Sequence, residues 1–61
     1  MPVIILKQRK GLTRDQKRRI VKEFTETMVT VAGARKELVT IMIEEKELED
    51  IGKGGVLRCD E

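Results

Sequence analysis

Met1-Pro2-Val3-Ile4-Ile5-Leu6-Lys7-Gln8-Arg9 opens the chain, and the reading of its middle decides the fold. Val3 to Leu6 are four consecutive apolar residues, three of them β-branched, which is the composition of a strand covered on both faces. The strand is expected to run from Val3 to about Arg9, with Lys10-Gly11-Leu12 as a turn. Thr13 then has the form of a helix N-cap, and Gln16 three places on completes a capping box. From Arg14 to about Ala32, Ile20, Val21, Phe24, Met28 and Val31 recur at helical spacing. Arg19 with Glu23 and Lys22 with Glu26 are spaced as i,i+4 ion pairs. Gly33 suits a left-handed helix cap.

Leu38 to Ile43 reads as the second strand, with Val39, Ile41 and Ile43 on one face and Thr40 and Met42 on the other. Glu44 to Asp50 reads as an acidic connection. Ile51-Gly52-Lys53-Gly54-Gly55-Val56-Leu57 has the glycines of a tight hairpin, while Arg58 to Glu61 shows no pattern. The fold class expected is therefore α/β. It is a single β-α-β unit with parallel strands, a right-handed crossover and a short C-terminal hairpin, forming one domain over residues 1–61.

Such a unit is too small to stand alone. A 61-residue chain buries only about 60% of the surface its unfolded form exposes, and a two-stranded sheet is marginal by itself. Cys59 is the single cysteine, so no internal disulfide can form. Histidine is absent, and one thiol cannot supply the ligands of a structural metal site. Neither a metal nor another cofactor is expected. Oligomerisation through the sheet remains as the staple. No apolar run approaches the roughly 20 residues of a membrane span, so the expected setting is cytoplasmic, with no membrane partner.

Net charge is only +2 but unevenly placed. Residues 1–22 carry eight basic side chains against Asp15 alone, and residues 23–61 carry five against ten acidic ones. This asymmetry fits nucleic-acid binding, attraction of an anionic substrate, or pairing between subunits. Phe24 is the sole aromatic, so base-stacking platforms are missing and nucleic acid is not the expected partner.

Without histidine, Ser-His and Cys-His nucleophile pairs are excluded. Gly52-Lys53-Gly54-Gly55 lacks the Ser/Thr and spacing of a phosphate loop. One chemical feature stands out: Pro2 directly before an apolar strand. Removal of Met1 would leave a secondary amine with a fixed φ at a strand end. An apolar pocket and neighbouring cations would both lower the amine pKa, and near neutrality it could act as a general base.

The whole chain resembles the 4-oxalocrotonate tautomerase family of short subunits. The resemblance rests on Met1-Pro2 before the Val3–Leu6 strand, Gly11 before the helix, Asp15-Gln16-Lys17, the Val39–Ile43 strand, and Ile51-Gly52-Lys53-Gly54-Gly55. It implies a keto-enol tautomerase in which the amine of Pro2 moves a proton within a 2-hydroxydienoate or 2-oxo acid, as in the catabolism of aromatic compounds. It also implies arginines, some from adjacent subunits, on the substrate carboxylates. The implied assembly is a homo-oligomer, a hexamer built as a trimer of dimers, with a dimer as the alternative.

The chain departs from the family at Leu12 and Thr40, where the family places arginines, and at Ile51, where it often has an aromatic wall. Arg9, Lys10 and Arg35 are the replacement candidates for binding a small anionic substrate, with Ile51 as the wall and Lys53 a weaker candidate. Other readings stay open: hydration or decarboxylation on the same scaffold, a partner subunit of a hetero-oligomer, or a small basic binding module for nucleic acid or protein.

Overall fold

The computed structural model describes all 61 residues. Strand β1, Val3–Arg9, pairs in parallel with β2, Thr40–Lys46, in a register that sets Val3 opposite Thr40, Lys7 opposite Glu44 and Arg9 opposite Lys46. Helix α1, Arg14–Ala32, makes the crossover between them. Both chemical signals at its ends act as expected. The Thr13 hydroxyl accepts from the Gln16 amide at 3.1 Å, and the Gln16 side chain accepts from the Thr13 amide at 2.9 Å. Gly33 closes the helix at φ 69°, and Ala34 N–H reaches back to the Met28 carbonyl at 3.1 Å.

The second strand starts and ends later than the apolar run suggests. Leu38 belongs to a 3-10 turn, Lys36–Leu38, and the strand continues through Glu44, Glu45 and Lys46. The partner explains this: β1 runs on to Arg9, and its unpaired backbone groups take Glu44–Lys46 as their match. The acidic connection therefore shrinks to Glu47 and a 3-10 turn at Leu48–Asp50.

Two short strands follow, β3 (Gly52–Lys53) and β4 (Val56–Leu57), joined antiparallel through Gly54 and Gly55 at φ 62° and 83°. Two successive positive φ values are what a tight hairpin of the primed type requires, and glycine adopts them without strain. Arg58–Asp60, without pattern in the sequence, forms a last 3-10 turn. Arg58 N–H bonds the Ile51 carbonyl at 2.8 Å and its side chain pairs with Glu61.

The sheet is two-faced. Ile4, Leu6, Ile41 and Ile43 are half-buried on the helix side, with Ile20 and Met28 of α1 also half-buried. On the other side Ile5 and Met42, opposite one another, are 51% and 50% exposed, and Val3 is equally open. Val31 is 81% exposed, so it adds nothing to the inward stripe despite its spacing. The 19-residue helix, about 28 Å long, outruns strands of about 23 Å.

No residue of the chain is buried. Its radius of gyration is 14.8 Å, against about 10.5 Å for a compact domain of this length, and its extents are 43 × 24 × 14 Å. The 5059 Å² of accessible surface exceeds the roughly 4,000 Å² of a monomeric protein of this mass. An apolar sheet face, two open strand edges and a projecting hairpin all lack cover.

Candidate active site

Pro2 is half-buried just before β1, and its carbonyl accepts the Thr40 amide at 3.0 Å. That bond extends the ladder by one step and pins the residue from its carbonyl side. Met1 beyond it is 88% exposed and outside the sheet. The ring nitrogen thus sits where a fixed strand meets solvent, at the apolar end of the open sheet face.

The basic candidates are scattered relative to Pro2. Arg9 and Lys10 lie at the far end of β1, about 23 to 26 Å along the strand. Lys10 Nζ is bonded to Glu47 at 3.0 Å, a contact that raises the ammonium pKa. Arg35 lies at the Pro2 end, before the turn into β2, but its guanidinium pairs with Glu37 at 3.1 Å. Arg9 alone of the three forms no ion pair. Ile51 is half-buried at the base of the hairpin, away from Pro2, where its carbonyl holds Arg58. A single chain therefore brings Pro2 near Arg35 only in sheet position, and does not join it to Arg9, Lys10 or Ile51.

Four of the eight basic side chains in the first 22 residues are neutralised by carboxylates: Lys10 by Glu47, Lys17 by Glu45, Arg18 by Asp15 at 2.6 Å, and Arg19 by Glu23. The spacing of Lys22 and Glu26 does not yield an ion pair. No group of three or more His, Cys, Asp or Glu side chains converges, and no helix is long and apolar enough to cross a membrane.

One residue that the sequence reading passed over proves central to the β1–α1 loop. Glu45 Oε2 accepts the amides of Gly11 at 2.9 Å and Leu12 at 3.3 Å, while Oε1 pairs with Lys17. The bond from Lys17, then that from Gly11, holds the Glu45 carboxyl down at about 2. Parallel register was the available signal: Gln8 opposite Glu45 puts Glu45 on the helix side of β2, level with the loop that follows β1.

The family description "Tautomerase enzyme" matches residues 2–58, beginning on Pro2. The chain belongs to the tautomerase family. A probable tautomerase of Listeria monocytogenes is 37% identical over 60 residues, covering 98% of each chain. One from Staphylococcus saprophyticus is 33% identical over 61 residues, covering both chains completely. The crystal structure of YwhB, a homologue of 4-oxalocrotonate tautomerase, superposes with a TM-score of 0.92 at 30% identity, over 98% of each chain. The fold is thus that of the 4-oxalocrotonate tautomerase homologues, and the kind of activity is that of a tautomerase, an isomerase.

Within the tautomerase frame, the two departures occupy different places. Thr40 opens β2 directly beside Pro2, and Leu12 lies half-buried in the loop at the opposite end of β1. A shallow groove along the flank of α1, between Val21, Thr25, Val29 and Lys36, contains none of these residues. In a lone chain Pro2 has a floor but no walls.

Proposed function

We propose that this tautomerase uses the secondary amine of Pro2, freed by removal of Met1, as the general base that moves a proton within a 2-hydroxydienoate or 2-oxo acid. The observation that carries this reading is the anchoring of Pro2 by Thr40 at the exposed end of β1, in a chain whose family match starts on that residue. A ring-fixed φ and a pinned carbonyl orient the amine before substrate arrives, which is how positioning lowers a barrier.

The missing walls come from further copies in this reading. The open edge of β1 is apolar from Val3 to Leu6, and an uncovered edge of this kind invites another strand. Antiparallel pairing of two β1 strands about Leu6, the midpoint of Val3–Arg9, would set Pro2 of one copy against Lys10 of the next, and Val3 against Arg9. Arg9, free of internal carboxylates, would then face the substrate carboxylate next to Pro2. Dimers of this kind would further pack their open sheet faces together, giving a hexamer in the cytoplasm.

A second reading has one observation in its favour. With Leu12 and Thr40 uncharged and Lys10 and Arg35 engaged by Glu47 and Glu37, the chain could serve as one subunit of a hetero-oligomer whose partner brings the cations. Ketonisation of 2-hydroxymuconate, followed by absorbance with protein of confirmed Met1-free mass, separates the two. Turnover by the lone species, reduced about 10²- to 10⁴-fold in Pro2→Ala with the assembly unchanged in sedimentation, supports the proline base. A Pro2→Ala protein as active as the parent would sink it, and absence of turnover by the parent favours the hetero-oligomer.

A further inference from the structure

The β1–α1 loop already holds an anion, and it is the chain's own. Glu45 gives one oxygen to the amides of Gly11 and Leu12 and the other to Lys17, and its side chain is only 18% exposed. Beside it Leu12 offers an apolar surface, and Lys10 is bound to Glu47. The amides of Gly11 and Leu12 and the ammonium of Lys10 are thereby engaged, and the unpaired cations lie only at the two ends of the loop, Arg9 before it and Arg14 after it. Resting on the assembly proposed above, in which this loop faces Pro2 of a neighbouring copy, we infer that Glu45 is a specificity-determining residue that closes the loop to a second substrate carboxylate. The preferred substrates are then 2-hydroxydienoates or 2-oxo acids with one carboxylate and an uncharged distal end.

The physical basis is twofold. A distal carboxylate brought against Leu12 would lose water without gaining a loop amide, since Gly11 and Leu12 already serve Glu45, and such a loss is unfavourable for any ion. It would also approach the like charge of Glu45, and like charges placed together discriminate strongly against a partner. A distal methylene or vinyl group meets neither penalty and gains apolar contact with Leu12.

The test compares kcat/KM for 2-hydroxymuconate, with two carboxylates, and 2-hydroxypenta-2,4-dienoate, with one, in the assembled protein and in Glu45→Gln. Glutamine retains an acceptor for the loop amides but removes the charge. The parent should favour the monoacid. The variant should raise the diacid-to-monoacid ratio about tenfold or more while leaving the monoacid value within about twofold. A ratio unchanged because both values fall together marks a merely structural role and overturns the inference. A readout independent of turnover is the titration of the Gly11 and Leu12 amide resonances with muconate dianion at low salt. They should stay fixed in the parent and shift saturably in Glu45→Ala. Saturable shifts in the parent, or none in Glu45→Ala, also overturn it. If the parent turns over neither substrate, the catalytic reading fails and this titration still decides the role of Glu45.

Discussion

Glu45 shows how much a single side chain can do in a chain without a closed core. Its three contacts join β2 to the loop and to the first turns of α1, next to the bond from the Lys10 amide to the Lys46 carbonyl. The depressed carboxyl, about 2 against an ordinary 4.5, fixes the sign of its pH dependence. A group whose folded pKa is lowered contributes stability that is complete above its unfolded value and is lost as pH falls through its folded one. The urea midpoint of the parent should therefore exceed that of Glu45→Gln at pH 6, with the gap narrowing between pH 4.5 and pH 2. A gap independent of pH would mean that shape, not charge, carries the contribution. Pro2 could be singled out from the sequence because its chemistry is local to the chain terminus. Glu45 could not, because its partners are more than 30 residues away and only register brings them together. For the same reason the engagement of Lys10 by Glu47 was invisible, whereas that of Arg35 by Glu37, two residues apart, was open to a closer reading.

Elements follow from local chemistry where the chain talks to itself. The capping box at Thr13 and Gln16, the left-handed Gly33 and the glycine pair of the hairpin are short-range signals, and each lies where the residues place it. Thr13→Ala removes the acceptor for one helix amide and should lower stability by about 1 kcal/mol. Denaturant titration at fixed protein concentration measures it, and a change below about 0.3 kcal/mol would show that Gln16 and packing suffice. The one misplaced element, β2, was set by a partner. Its apolar residues end at Ile43, but its length answers to the backbone of β1, so charged residues complete it. Val31 teaches the converse lesson: helical spacing defines a face, yet the sheet beneath decides how much of that face is covered.

At the scale of the whole molecule, the expectation of oligomerisation came from the chain's length, its two-stranded sheet and the lack of a disulfide or metal staple, and the open sheet face is where the proposed assembly would close. Ile5 and Met42 face outward at the centre of the sheet, beside Val3 and beyond reach of α1. Ile5→Asp would place a charge in the face that the assembly is proposed to close. The variant should sediment as smaller species than the parent at equal concentration and lose activity, even though Pro2 is untouched. An intact, fully active Ile5→Asp assembly would require another face to make the contact. The walls around Pro2 were beyond any single-chain reading, because in the proposed assembly they come from other copies.

A chain with no buried residue of its own also has a consequence for inheritance. In the homo-oligomer proposed above every copy comes from the same gene, so a lesion on a shared face is repeated at each symmetric contact. Expressed beside sound chains, a variant such as Ile5→Asp that still pairs with them through the β1 edge would hold them in incomplete assemblies, and one defective allele would suppress more than its own share of activity. A lesion confined to Pro2 would leave the assembly intact and remove only the sites to which that copy brings its amine. Dominance, in this protein, should follow the map of exposed apolar surface.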